Sequence, residues 1–256
     1  MDRAGYVSAL EDLVRAGGGT RLSKYLEENS NLPGPRANLT LLAAFGDSLE
    51  ALAKSDPKAA GEVCSRLAGA SPEFLAMCGA AGLGAVWTAS PPARPHAVKE
   101  LKRLSHDGRW RVREAVAIAI QRILAASESF VKELDSWVAG SDWLQARAAV
   151  AGVAEPPILR KSPALSEAAM DLHKKAITRF AGAKDRGSEE FKVLRQALGF
   201  TLSVVVAEVG DSGFSYLRSL ADSGDKDLLW VVKENLKKDR LRKGYPSQTK
   251  TLASSL

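Results

Sequence analysis

Apolar residues recur every three or four positions along most of the chain, which is the spacing of amphipathic helices. The segment 108–125 shows the pattern most clearly, whereas the period-two alternation of a half-buried strand is rare. The sequence therefore predicts an all-α protein. In 108–125 one buried stripe contains Val112, Ala115, Val116, Ala119, Ile120, Ile123 and Leu124.

Helix boundaries are marked by capping residues placed before proline. Asp56-Pro57 and Ser162-Pro163 each put a side-chain acceptor ahead of a proline at the first helical position. The last stretch, 244–256, is rich in Ser and Thr and lacks periodicity, so we expect a flexible tail there. The predicted helices are 4–15, 20–29, 37–54, 57–69, 72–88, 95–105, 108–125, 128–139, 142–154, 164–183, 188–208, 212–222 and 226–238.

Part of the helical pattern is duplicated. The segment Asp107–Val116 aligns with Asp227–Leu236, which places Trp110 opposite Trp230 at an offset of 120 residues, about three units of 40. A looser copy lies at Ser141–Val150. A short amphipathic segment precedes each copy, so the repeated unit is a helix, a tight turn and a longer second helix. Such pairs stack to share one continuous core.

The turn Asp107 followed by Val112 and Arg113 resembles the HEAT repeat family. The resemblance is best over 94–240 and degenerate over 1–90. It implies a curved solenoid of about six antiparallel helix pairs in a single domain, 1–243. In HEAT proteins the turn Asp and the second-helix Arg commonly pair between neighbouring repeats. The resemblance gives that role to Asp107, Arg113, Asp142 and Arg147, and a surface-binding role for the two arginines is the alternative.

The segment 141–149 also resembles a stretch of the bacterial HEAT-like alkylpurine DNA glycosylases. Those enzymes place an essential Asp shortly after paired tryptophans, but this chain has no Trp-Trp-Asp. We therefore carry over no catalytic residue, and DNA binding without the family's activity stays open. Here each nearby Asp precedes its Trp, namely Asp107, Asp135, Asp142 and Asp227.

The net charge of +6 is unevenly distributed. Residues 1–90 carry a net −2 and residues 91–256 a net +8. The excess comes in three basic bands, 94–122, 160–195 and 226–250. The bands favour a polyanionic partner if they share one face. The alternative is that they are ordinary solvated helix surfaces, and that the last band caps a terminal helix through its dipole.

Three tryptophans open predicted second helices beside basic residues. On a concave face such rings clamp a peptide or stack on a base. The alternative is that each ring packs the joint between two repeats. The candidate binding residues are Arg109, Trp110, Arg111, Trp143, Arg147, Trp230 and Lys233.

Other chemistry has little support in the sequence. Cys64 and Cys78 lie far apart in sequence, and His96, His106 and His173 are scattered, so no metal site is expected. Neither a phosphate-binding loop nor a G-x-S-x-G nucleophile motif occurs. We expect no cofactor, and we lean against an enzyme. No signal peptide or membrane span is recognisable, which makes a cytoplasmic location the default.

These observations lead to two functional hypotheses. The first is a non-enzymatic HEAT-repeat scaffold that binds a protein partner on its concave second-helix face. The second is a DNA-binding protein related to the alkylpurine DNA glycosylases, with nucleic acid held by the three basic bands.

Overall fold

The computed structural model describes residues 1–256, and these contain 16 α-helices and no strand. Helix accounts for 79% of the chain, so the all-α prediction is confirmed. None of the helices combines the length and the apolar character that a transmembrane segment requires.

The chain divides into two compact units, Met1–Ala126 (unit 1) and Ser127–Leu256 (unit 2). The predicted single domain over 1–243 stays a prediction. Unit 1 contains the helices α1 (Arg3–Arg15), α2 (Thr20–Glu28), α3 (Leu39–Ser55), α4 (Pro57–Ala68), α5 (Glu73–Ala89), α6 (Arg94–Leu104) and α7 (Trp110–Ala126).

Helix α5 is the centre of unit 1. It contacts α3, α4, α6 and α7, and it is buried on nearly every side because its sequence is apolar all round. Two glycines allow this crowding. A Cβ on Gly84 would lie 2.7 Å from the carbonyl oxygen of Ala119 in α7, and one on Gly79 would collide with the backbone of Ala68 in α4.

Unit 2 follows the same plan around a long central helix. Its helices are α8 (Val131–Ala139), α9 (Trp143–Val153), α10 (Pro156–Leu159), α11 (Pro163–Ala181), α12 (Glu189–Val209), α13 (Asp211–Ala221), α14 (Lys226–Leu236), α15 (Asp239–Gly244) and α16 (Pro246–Ser254).

Helix α12 lies between α9 and α14 and packs against both. Each of these three helices is the second member of a helix pair in chain order. Among the first members, α8 contacts α11, and α13 contacts α12 and α14.

A buried asparagine fastens α14 to α12. The side-chain oxygen of Asn235 accepts from the backbone N–H of Ser203 at 2.6 Å, and its amide nitrogen donates to the carbonyl of Leu198 at 2.8 Å. Asn235 is fully buried, so every one of these bonds is shielded from water.

The predicted helices all form, and their ends shift by three residues or fewer. The capping signals account for this accuracy. Asp56 accepts from the N–H of Ala59 at 2.9 Å, and Ser162 accepts from the N–H of Leu165 at 3.2 Å.

The prediction of an unstructured tail at 244–256 is wrong, because Pro246–Ser254 is helix α16. Proline at its first position favours the helical start. The helix is anchored by the buried Leu252 and by Thr249, whose hydroxyl donates to the carbonyl of Leu241 at 3.0 Å. A single buried aliphatic side chain, Leu252, in a nine-residue helix cannot produce a visible apolar period.

Candidate binding surface

The predicted binding residues are distributed over both units. Arg109, Trp110 and Arg111 belong to unit 1, at the start of α7. The remaining four belong to unit 2, where Trp143 and Arg147 lie on α9 and Trp230 and Lys233 lie on α14, on opposite sides of α12.

Arg109 joins two turns of unit 1. Its guanidinium binds the carboxylate of Asp107 at 2.7 Å and donates to the carbonyl of Ala70 at 2.8 Å. The bond from Arg109 lowers the pKa of Asp107. Arg111 pairs with Glu73 at 2.9 Å, at the start of α5. Both arginines thus hold α7 against the α4–α5 turn.

Trp110 and Trp230 do not occupy equivalent positions. Trp110 is the first residue of α7, is 53% exposed and lies 4.6 Å from the Arg111 guanidinium. Trp230 lies one turn inside α14 and is half-buried. This difference counts against the alignment of 107–116 with 227–236. Trp110 and Trp143 do correspond, since each is the first residue of a second helix.

Trp143 packs between helices. The Arg179 guanidinium lies 3.9 Å from its ring centre, and Phe191 meets it edge-on at 5.6 Å. Burial lowers the pKa of Arg179. Arg147, on the same helix, is 8% exposed. The contacts of Trp143 favour the packing alternative for that ring, and the burial of Arg147 counts against a surface-binding role.

The predicted ladder residues also shape their own turns. Arg113 donates to the carbonyl of Asp107 at 2.6 Å, and Asp142 caps α9 by accepting from Leu144 N–H at 2.9 Å. Their pairing between repeats stays a prediction. Within unit 2 a different arginine joins adjacent turns, because Arg186 binds Asp225 at 2.7 Å.

The Trp230 ring is held firmly between two helices. It lies on Gly199 of α12, where a Cβ would come within 2.9 Å of the ring. The Arg195 guanidinium covers it at 3.9 Å and contacts the Asp227 carboxylate at 2.8 Å. The indole therefore has one fixed orientation.

Trp230 borders an open groove between α14 and α16, which we call the Trp230 groove. Its volume is about 820 Å³, which is in the range of small-ligand and peptide sites. The sequence identified Trp230 and Lys233 but missed the α16 wall, since α16 was not predicted. The groove is lined by apolar side chains (Trp230, Leu236, Pro246, Ala253, Leu256), four cations (Lys233, Lys237, Arg242, Lys250), Glu234 and Thr249.

The three basic bands differ in how far their charges are neutralised. In 94–122, Arg122 contacts both Asp47 and Glu50, and Arg109 and Arg111 are paired as described. In 160–195, Arg160 pairs with Glu208. The last band, 226–250, retains the most free charge, because no ion pair joins a carboxylate to Lys226, Lys233, Lys238, Arg240 or Lys250.

No group of three or more His, Cys, Asp or Glu side chains is placed to hold a metal. Cys64 and Cys78 are fully buried, and burial raises the pKa of both thiols. His173 is buried as well and bonds to Ala169 and Thr201. These groups belong to the cores of their units.

No family model matches this chain, and no curated protein matches it. One solved structure, an engineered protein from a structural genomics consortium, aligns with 86% of this chain and 97% of its own at 18% identity. Its TM-score of 0.31 is too low to support an argument about fold or function.

Proposed function

We propose that this protein is a non-enzymatic, HEAT-like helical-repeat scaffold, and that its Trp230 groove binds an acidic segment of a partner protein. The packing of the second helices α9 and α14 against α12 in unit 2 supports the repeat organisation. The groove borders α14, which is one of these second helices.

The observation that carries the proposal is the combination of apolar floor and uncompensated charge in the groove. Lys233 and Lys250 have no carboxylate partner, and Glu234, the one acidic lining residue, pairs with Lys237 at 2.5 Å. A partner segment with acidic residues around one or two apolar side chains complements both features.

The fixed Trp230 indole is suited to act as the apolar anchor. Tryptophan is enriched among the residues that dominate binding energy, particularly where the ring is preorganised. Arg195 and Gly199 hold the indole before a partner arrives, so little side-chain entropy is lost on binding.

Nucleic-acid binding is the alternative. The observation that favours it is the exposed Trp110 ring beside the Arg111 guanidinium, which offers a stacking surface next to a cation. Against it, Arg109 and Arg111 are already paired with Asp107 and Glu73.

The test is fluorescence anisotropy of a labelled, roughly ten-residue peptide of alternating Glu and Leu titrated with the full chain. We expect saturable binding that falls at least tenfold in the Lys233→Ala/Lys250→Ala variant. The matched control is Lys132→Ala/Lys184→Ala, which removes two exposed lysines of unit 2 outside the groove.

Equal losses in the two double variants would show that only net charge matters, and would contradict the groove as the site. A poly-Glu peptide of the same length that binds as tightly would contradict the apolar anchor. Tight binding of a duplex DNA at physiological salt, with no peptide binding, would favour the alternative.

A further inference from the structure

A second surface of unit 2 combines an exposed aromatic ring with cations. Phe200 lies in the middle of α12 and is 47% exposed, although large apolar side chains in this chain are otherwise nearly all covered. The Arg240 guanidinium lies 4.7 Å from its ring centre, and the Lys238 ammonium lies 5.7 Å from it. We call these three residues the Phe200 patch.

Arg240 is only partly satisfied. It makes no ion pair, and its Nη1 is buried without an acceptor. Leaving a buried donor unpaired is costly, more so when the group is charged. Burial lowers the pKa of Arg240, and the positive charge of Arg160 lowers it further. Arg240 therefore has no anionic partner within the chain.

The charge around the patch is positive overall. Arg160, Lys238 and Arg240 are the cations, and Glu208 is engaged by Arg160 at 3.1 Å. Asp239, between Lys238 and Arg240 in the chain, is engaged by Lys243, which leaves Lys238 and Arg240 as two cations without an ion pair. A phosphate monoester carries a charge of about −1.5 to −2 at neutral pH, which matches these two cations.

We propose that the Phe200 patch binds an aromatic phosphate monoester, the chemistry of a phosphotyrosine side chain on a partner protein. The ring of the ligand packs on the exposed part of Phe200, and its phosphate accepts from Arg240 and Lys238. The choice of a protein as the source rests on the proposed scaffold function, whereas the site itself does not depend on the Trp230 groove.

The short distances favour a phosphate attached directly to a ring. Both cations lie within 4.7–5.7 Å of the centre of the Phe200 ring, so an anion bound by either of them is close to a group that contacts the ring. In a nucleotide the sugar separates the base from the phosphate, which suits this spacing less well.

The experiment is calorimetric titration of the full chain with phenyl phosphate, with ligand-observed phosphorus NMR as a second readout. We expect saturable binding that Phe200→Ala and Arg240→Gln each weaken at least tenfold. Phenol and inorganic phosphate, each carrying one half of the ligand, are expected to bind at least tenfold more weakly than phenyl phosphate. The matched controls are Lys132→Gln, an exposed cation elsewhere in unit 2, and Leu39→Ala, an exposed apolar residue of unit 1.

Inorganic phosphate or adenosine monophosphate binding as tightly as phenyl phosphate would overturn the assignment, as would an equal loss in Lys132→Gln. Circular dichroism melts confirm that each variant folds, and the more conservative Phe200→Leu replaces Phe200→Ala if that variant does not. If the acidic peptide binds and phenyl phosphate does not, only the assignment of the Phe200 patch is overturned. If phenyl phosphate binds and the acidic peptide does not, only the assignment of the Trp230 groove is overturned.

Discussion

At the scale of single residues, buried polar groups are held by specific partners. His173 is fully buried, with Nδ1 2.8 Å from the Ala169 carbonyl and Nε2 3.0 Å from the Thr201 hydroxyl. The scattered positions of the histidines argue against a metal site, but nothing in the sequence shows that His173 is buried or which groups it bonds. Its role depends on which side chain of α12 faces α11, and that is a property of the fold.

Burial lowers the pKa of His173 to about 4, from an ordinary value of 6.5. The folded protein therefore binds fewer protons than the unfolded chain between these values. The stabilisation is fully present above pH 6.5 and is lost as the pH falls toward 4. Urea denaturation at about pH 7.5 and at about pH 4.5 measures the effect. Between these pH values we expect the free energy of unfolding to fall by about 2–3 kcal/mol more in the wild type than in His173→Gln. Identical pH dependence in both proteins would contradict the assignment.

Asn235 supports a second prediction. Replacing it by Ala removes both hydrogen bonds that the side chain makes to α12, from the N–H of Ser203 and to the carbonyl of Leu198. A buried hydrogen bond contributes about 0.5–1.5 kcal/mol net, so we expect Asn235→Ala to lower the free energy of unfolding by about 1–3 kcal/mol. Chemical denaturation measures the change. The milder comparison is Asn29→Ala, which removes a local side-chain bond at the half-buried end of α2, and a similar loss in both variants would contradict the role of Asn235.

At the scale of elements, helices with a clear apolar spacing or a capping residue are predicted correctly, and helices without these signals are not. Thirteen helices follow from apolar spacing and from caps such as Asp56 and Ser162, because both signals are local. The helices α10, α15 and α16 were missed because they are short, with 4, 6 and 9 residues, and too few turns for an apolar period to show. Missing α16 also concealed half of the Trp230 groove, including Lys250.

The packing of α5 against α7 gives a prediction with an internal control. In Gly84→Ala the new methyl group meets the backbone of Ala119, so the helices must separate, at a cost of about 1–3 kcal/mol. In Gly61→Ala of α4 the methyl group points into open space, and helix propensity raises stability by up to about 1 kcal/mol. Thermal melts measure both, and the same sign of change in both variants would contradict this account.

At the scale of the whole molecule, the net charge of a segment is a weaker indicator of a binding surface than the number of its side chains that lack an ion pair. The band 94–122 is as basic as 226–250 in the sequence, yet Arg109, Arg111 and Arg122 all bind carboxylates. Sequence alone could not separate the two bands, since the partners Glu73 and Asp47 are distant in the chain. Cations without an ion pair therefore concentrate in the last band, and two of them, Lys233 and Lys250, line the Trp230 groove.

This distribution predicts how binding responds to salt. A protein that neutralises six or more phosphates loses about three orders of magnitude in DNA affinity between about 50 and 200 mM salt. The Trp230 groove offers only four cations and an apolar floor, so we expect its affinity for the acidic peptide to fall about tenfold over that range. Plain and alkylated duplex DNA are expected to bind weakly at about 150 mM salt. Anisotropy titrations of peptide and duplex at both salt concentrations measure the two slopes, and a steep duplex slope with tight binding at low salt would favour nucleic acid as the partner.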